Sequence, residues 1–493
     1  MVVCLVLPGS PHYLNVAIGE RTTVERVNDF VAALPGVDRV VAVATTQPDW
    51  VPERWGLRKV EQVTERAVCE ALAELTDSAD TEILLAQLDQ PFLNRELSTA
   101  MIERHRSHWA DYTFADGYPQ GLAPELVTGR VVSHLQSLAT DAPFARSGLF
   151  PVVARDINRI DVETLLAAED HRMLRLSLSV DTRANLLVCQ SLADGAPEAI
   201  DEWEAHAERT RVHHRSRPRF VSVQVLEQEV QALRYSPYTG MRDDVTAPGA
   251  VMEAERFAKP VEELSRFSPE AVLHISLWGE LSLHPEAVAL VKTVLATPAL
   301  SLLVETSGVG WGDERAGELL GIADDRFSLI VGLDACNPEL YGSIRGAGFE
   351  EATAFAERAI DALGSRAHVQ AVRSELTEGG LEEFYKHWKQ RTENVVIQKY
   401  DHFCRRLPQI RVGDLTPLNR FPCWHLQRDL HVLVDGRVPL CREDISTQVL
   451  LGNVFTDGLE KTWAAGAGHY ADHVAGTFSG ICQECDEYYT FSF

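Results

Sequence analysis

The 493-residue sequence predicts an α/β protein with an open parallel sheet first, a second run of βα units in the middle, and a small cysteine-rich end. Three observations predict it. Strand-length apolar runs alternate with helical periodicities over roughly the first 200 residues. The alternation restarts near residue 219. From residue 423 onward, short alternating runs and four cysteines replace it. Repeated βαβα order implies parallel sheets, whose ligands sit beyond the carboxyl ends of the strands.

Taken in order, "VVCLVLP" is a continuous apolar run of strand length. "TTVERVNDFVAAL" (22–34) places Val24, Val27, Phe30, Val31 and Leu34 at helical spacing, with Thr22 or Thr23 as N-cap. "RVVAVA" is a strand. "KVEQVTERAVCEALAEL" (59–75) puts Val60, Val63, Ala67, Ala71 and Leu75 on one helical face. "EILLAQLD" is a buried strand ending in Asp89. The basic stretch "ERTRVHHRSRPRF" reads as a solvated connector between folded units. Beyond it lie six strand candidates, at 220–225, 273–277, 302–306, 329–333, 368–372 and 395–399, most of them separated by helical segments such as 285–297 and 349–363. Six βα units form a partial barrel or a second doubly wound sheet. In "LHVLVDGRVPLC" the Asp435-Gly436 pair reads as the turn of a β-hairpin. The expected domains are 1–200, a linker at 201–218, 219–400 and 401–493.

Lys plus Arg number 46 and Asp plus Glu 72, a net charge of −26 that repels nucleic acid and anionic membranes. No run reaches about 18 apolar residues, so no membrane span is expected. The first residues carry no basic region ahead of their apolar run and read as a core strand. A cytoplasmic location follows, where disulfides are rare. Nine cysteines then need another account. Cys4, Cys69, Cys189, Cys336 and Cys404 are scattered and read as small buried side chains. Cys423, Cys441, Cys482 and Cys485 form C-x17-C-x40-C-x2-C. Four thiolates suit tetrahedral zinc or one [4Fe–4S] cluster. Zinc sites usually show two close pairs; the single close pair here leans toward iron–sulfur, with zinc left open.

The segment from "PCWHLQRDLHVLVDGRVPLC" through "LGNVFTDGLEKTW" to "CQEC" resembles the SPASM domain of radical SAM enzymes. Its carriers are Cys423, Gly436-x4-Cys441, Leu451-Gly452-Asn453, Leu459 to Trp463, and Cys482-x2-Cys485. Full SPASM domains hold two auxiliary clusters on seven cysteines; four imply one cluster. The resemblance extends upstream. Trp278-Gly279-Glu280-Leu281 is similar to the Gly-Gly-Glu-Pro loop, Thr306-Ser307-Gly308 to a Thr-Asn-Gly strand end, and "LDACNPELYGSIRG" to the segment after the fourth strand. It implies a partial (β/α)6 radical-SAM-like barrel, with Glu280, Ser307 and Arg373 as the remaining cofactor-binding positions. The defining C-x3-C-x2-C motif belongs in "LEQEVQALRYSPY" after the first barrel strand. Its positions are Glu229, Leu233 and Ser236. Leu cannot ligate iron, and Glu and Ser are hard donors matched poorly to a soft cluster. Cleavage of S-adenosylmethionine by this chain is therefore not expected.

Residues 1–195 resemble sugar nucleotidyltransferases, most closely cytidylyltransferases. The carriers are the first strand with Gly9, the segment around Asp89, "ADGYPQGLAPELVTG", and "RLSLSVDT" ending in Asp181 and Thr182. The resemblance implies Mg²⁺ held by Asp89 and Asp181 and a nucleotide or sugar ligand. The basic loop that neutralises a triphosphate is here "LPGSPHYLNVAIGERTT", with only His12 and Arg21. The whole arrangement resembles the spiro-SPASM family. It implies a protein that binds one auxiliary cluster and serves as a binding or electron-transfer component, with a protein or peptide partner, in peptide or cell-envelope modification. The alternative is a cytidylyl-type nucleotidyltransferase with an accessory C-terminal half.

Overall fold

The computed structural model describes residues 1–9, 11–46, 51–237 and 249–490; Ser10 of the first loop and Tyr238 at the end of "LEQEVQALRYSPY" lie outside the described residues. The chain divides into two compact units, Met1–Ser216 and Arg217–Phe493. Among the described residues no helix is long and apolar enough to cross a membrane.

The N-terminal unit carries β1 (Val2–Val6), β4 (Arg39–Ala44), β5 (Gly56–Lys59), β6 (Glu82–Gln87), β7 (Tyr112–Asp116), β8 (Glu125–Thr128) and β9 (Val162–Leu166) in one sheet, with a small ladder of β2 (Ala17–Ile18) and β3 (Arg21–Thr22) aside. The sheet order is β5-β4-β1-β6-β8-β7-β9. Only β8 runs antiparallel to its neighbours. β1 is apolar throughout because alternate residues enter different cores: Val3 and Leu5 one, Val2, Cys4 and Val6 the other. The expected helix after it is Thr23–Ala33, closed by a capping box between Thr22 and Glu25. The next helix is shorter than its pattern. Residues up to Lys59 belong to β5, and the helix Glu65–Leu75 starts from Thr64, whose hydroxyl accepts from the Ala67 amide, so Val60 and Val63 lie ahead of it. The expected linker also differs. Residues 201–214 are largely helical, and buried Trp203 of the helix Trp203–Arg209 packs edge-on to Phe92 at 5.3 Å. Basic residues on the exposed side mask that apolar stripe in a charge count.

The C-terminal unit places β10 (Phe220–Val223), β11 (Val272–Ile275), β12 (Ser301–Thr306), β13 (Phe327–Gly332), β14 (Ala367–Arg373) and β15 (Val395–Lys399) in sequence order, all parallel. This is the expected succession of six βα units, with no ring closure among the described residues. One face of the sheet packs on helices through residues such as Val221, Leu273, Val304 and Leu329. The other is polar at mid-height. Ser222 and His274 meet at 3.2 Å, and Gln370 donates to Glu305 at 2.9 Å.

The expected hairpin at Asp435-Gly436 is resolved differently. Its turn exists: the Gly436 amide donates to the Leu433 carbonyl, and Gly436 has φ +84°. The Leu433 amide also donates across it to the Arg437 carbonyl at 2.8 Å, but beyond that the strands pair elsewhere. β16 (Asp429–Val432) lies parallel beside β10 as a seventh strand of the barrel sheet, while β17 (Arg437–Pro439) pairs with β18 (Leu450–Asn453). The barrel edge offers β16 a ladder and a core for Leu430 and Val432.

Candidate metal centre

Three short elements bring the four C-terminal cysteines together. Cys423 precedes the helix Trp424–Arg428; Cys441 follows β17; Cys482 sits in the 3₁₀ turn Gly480–Gln483, and Cys485 just after it. Cys423 and Cys482 are buried in one cluster with Leu426, Leu440, Tyr470 and Tyr488. The Glu487 amide points at the Cys485 sulfur, 3.3 Å away. Arg420 donates to the Cys482 carbonyl and lies over Phe478 and Tyr488, at 4.2 and 4.9 Å. Asp444 ties the loop after Cys441 through the Gln448 and Val449 amides, each at 2.8 Å.

Cys485 and Cys441 each interact with Cys423 and Cys482 and with each other. Cys485 also interacts with Cys404, with which it shares a hydrogen bond. Cys404 was expected as a scattered buried side chain; the fold brings it to Cys485 and Cys441. It sits in a left-handed turn of three consecutive non-glycine residues, Phe403, Cys404 and Arg405, at φ 48°, 51° and 66°. Such a run costs on the order of 1–2 kcal/mol per residue. Asp401 accepts from the Phe403 amide at 2.7 Å, His402 Nδ1 from the Arg405 amide at 2.8 Å, and Phe403 packs with Trp278, Leu407, Leu433 and Ile445. Those contacts hold the strained turn. Its only sequence signal was position: it follows the sixth barrel strand, at the carboxyl end of the sheet.

The chemistry of this donor set fits a metal centre. Burial, followed by the charges of neighbouring cysteines, raises Cys423 well above the usual thiol range. Cys441 is raised the same way, with Glu443 the largest charge effect, and burial then Cys485 push Cys482 up to about 12. Thiolates gathered so closely repel one another unless positive charge stands among them, which is what a zinc ion or iron–sulfur cluster supplies. Among the described residues no three metal-ligating side chains close on one ion. Around the cysteines runs a charged belt: Lys399 at the end of β15 pairs with Asp486 at 3.0 Å and with Glu487, His402 with Asp486 at 3.0 Å, and Arg442 with Asp401 at 2.8 Å. The sixth barrel strand is thereby fastened to the Cys482–Cys485 knuckle.

The barrel positions behave differently. Glu280 and Ser307 are brought together, but the Glu280 carboxylate is already filled by protein donors: the Thr306 hydroxyl at 2.5 Å, the Ser307 amide at 2.7 Å and the Ser282 amide at 3.2 Å. Arg373 pairs instead with Glu378 of its own loop, at 2.8 Å. In the loop after β10, the Ser236 hydroxyl donates to Glu229. The neighbouring Tyr235 hydroxyl donates to buried Asp334, which also holds Arg345 at 2.6 Å and the Val372 amide at 2.7 Å. In the N-terminal unit Asp89 and Asp181 also come together, with Arg146, unremarked in the sequence, between them.

Residues 423–486 match the family model described as SPASM, an iron–sulfur cluster-binding domain. An uncharacterized protein of Treponema pallidum (strain Nichols) is 34% identical over 369 residues, covering 71% of this chain and the whole of that protein. A second uncharacterized protein of the same organism is 35% identical over 75 residues, 15% of this chain and 34% of that one. Solved structures similar to this chain include BtrN in complex with AdoMet and 2-DOIA (TM-score 0.36, 16% identity, 55% of this chain and 93% of that chain). Others are Streptococcus suis SuiB bound to precursor peptide SuiA (0.42, 11%, 67% and 80%) and a cytidylyltransferase from Leptospira borgpetersenii (0.35, 13%, 42% and 93%). Residues 423–486 thus form a SPASM domain. The chain belongs to the family of the 34%-identical Treponema pallidum protein.

Proposed function

We propose that this chain holds one iron–sulfur cluster on Cys423, Cys441, Cys482 and Cys485, and that it serves as a binding or electron-transfer component without cleaving S-adenosylmethionine itself. The observation that carries the reading is the contrast between two loops of one unit. At the SPASM end, cysteines interact with one another around Cys485. At the barrel loop, where the superfamily builds its reactive cluster, Glu229 and Ser236 are hydrogen-bonded to each other and position 233 is leucine. Soft thiolates favour a cluster; a carboxylate, a hydroxyl and an alkyl group do not. When bound, a cluster of this kind supplies one-electron transfer.

The chain's own part is positioning. Arg420 and the Glu487 amide orient the knuckle, the Lys399–Glu487 pair ties it to the sixth strand, and the Arg442–Asp401 pair anchors the residue after Cys441. The substrate class supported by superfamily membership is a peptide or cell-envelope compound presented by a protein or peptide partner. A cytoplasmic location suits cysteines that must stay reduced.

Anaerobic purification followed by iron, sulfide and zinc analysis tests the reading. About four irons and four sulfides per chain, lost in Cys482→Ala, is the expected result. Stoichiometric zinc without iron replaces the cluster with a structural zinc site. About eight irons per chain overturns the assignment of the barrel loop.

A further inference from the structure

We propose that the guanidinium of Arg146 occupies the place of a divalent cation between Asp89 and Asp181, so that the N-terminal unit operates without the metal that its nucleotidyltransferase resemblance implies. The two carboxylates are neighbours. Asp89 lies beyond β6, and its carbonyl accepts from the Val180 amide at 2.9 Å, which carries Asp181 alongside. A shared Mg²⁺ would need oxygens of both carboxylates at about 2.1 Å. Arg146 holds those oxygens instead. Its Nη1 donates to Asp89 Oδ2 and to Gln87 Oε1, the latter at 3.1 Å. Its Nε stands 3.4 Å from Asp181 Oδ2. The remaining Asp181 oxygen accepts from Ser179 and Asn185, each at 2.8 Å.

Arg146 is fixed at both ends. Its carbonyl accepts from Gln120 at 2.7 Å and from Gln87 at 3.0 Å, so the side chain is aimed from an anchored backbone. Gly9, in the loop after β1, completes the seat: a β-carbon there would stand 3.0 Å from Arg146 Nη2. A guanidinium cannot be deprotonated in proteins, so its charge is permanent. A dication entering the same gap would meet that charge and would have to displace its hydrogen bonds. One acceptor remains open. Asp89 Oδ1 is buried and without a hydrogen-bond partner, on a side chain 1% exposed. Removing the guanidinium would therefore expose a pair of carboxylates able to take a hard cation.

The test is Mn²⁺ binding by the full chain, followed by the electron paramagnetic resonance signal of free Mn²⁺. Wild type and Asp181→Asn are expected to titrate alike, because wild type holds no Mn²⁺ at this pair. Arg146→Ala is expected to bind Mn²⁺ at least about tenfold more tightly than wild type, and a second substitution, Asp89→Asn, to remove the gain. Arg146→Met, which fills more of the vacated space, serves in the same comparison if the alanine variant does not fold. Wild-type Mn²⁺ binding that Asp181→Asn abolishes would overturn the proposal; this comparison needs no Arg146 variant. An Arg146 variant that folds and titrates like wild type would overturn it equally. The result is independent of the C-terminal cluster.

Discussion

The Ser236 hydroxyl donates a hydrogen bond to the Glu229 carboxylate. Two of the three positions that the radical SAM resemblance assigns to thiolates are thus satisfied by each other. Burial pushes the Glu229 carboxyl up to about 7, against the hydrogen bond from Ser236 and the charge of Arg345. Ser236→Ala leaves that buried carboxyl without this donor. A loss of about 1–3 kcal/mol in the unfolding of the C-terminal unit is expected by urea titration at pH 8. A change within a few tenths of a kcal/mol would show the pair to be incidental.

Gly279 joins this loop to the next. Its φ is +103°, and a β-carbon on it would lie 2.2 Å from the Leu226 carbonyl oxygen. The following amide, of Glu280, donates to the Gln228 carbonyl at 2.8 Å. Gly279→Ala should therefore separate the loops after β10 and β11 at a cost of about 2 kcal/mol or more. Proteolysis of the loop after β10 under native conditions should accelerate in parallel. A variant as stable and as resistant as wild type would contradict the close packing.

Cys404 offers a separate test of the metal centre. Cys404→Ser should change the absorption or electron paramagnetic resonance spectrum of the reconstituted cluster, because its thiol lies against Cys485. Cys336→Ser, remote in sequence from the SPASM segment, should leave both unchanged. Identical spectra for the two variants would place Cys404 outside the shell of the cluster.

His431 makes the C-terminal unit acid-sensitive. On β16, both its ring nitrogens are buried without partners. Burial lowers its pKa to about 3, assisted by His425, Arg442 and His274 and opposed by Asp429. An unfolded histidine titrates near 6.5, so between these values the unfolded chain binds the extra proton. Stability from this group is present above about pH 6.5 and is lost as pH falls toward 3. About 2 kcal/mol should disappear between pH 7 and 5, and His431→Met should lose correspondingly less over that interval. Equal losses in the two proteins would assign the acid sensitivity elsewhere.

The six barrel strands and the cysteine segment were legible because their signals are local. Apolar runs at 302–306 and 395–399 sit within a residue of the strands they form. The helix at 203–209 was hidden because a charge count does not register Trp203 turned inward. β16 was misplaced because turn chemistry at Asp435-Gly436 specifies a reversal but not which strand each arm will join.

By itself, the sequence determined the βα alternation, the absence of cysteine from the loop after β10, and the presence of a SPASM domain, since each rests on residue type at short spacing. Tertiary structure alone decided three things: that Cys404 joins Cys485, that β16 belongs to the barrel sheet, and that Arg146 stands between Asp89 and Asp181. Arg146 and Asp89 are 57 residues apart. Contacts at such separations are set by which strands become neighbours and how their loops are anchored, and no local periodicity records that choice.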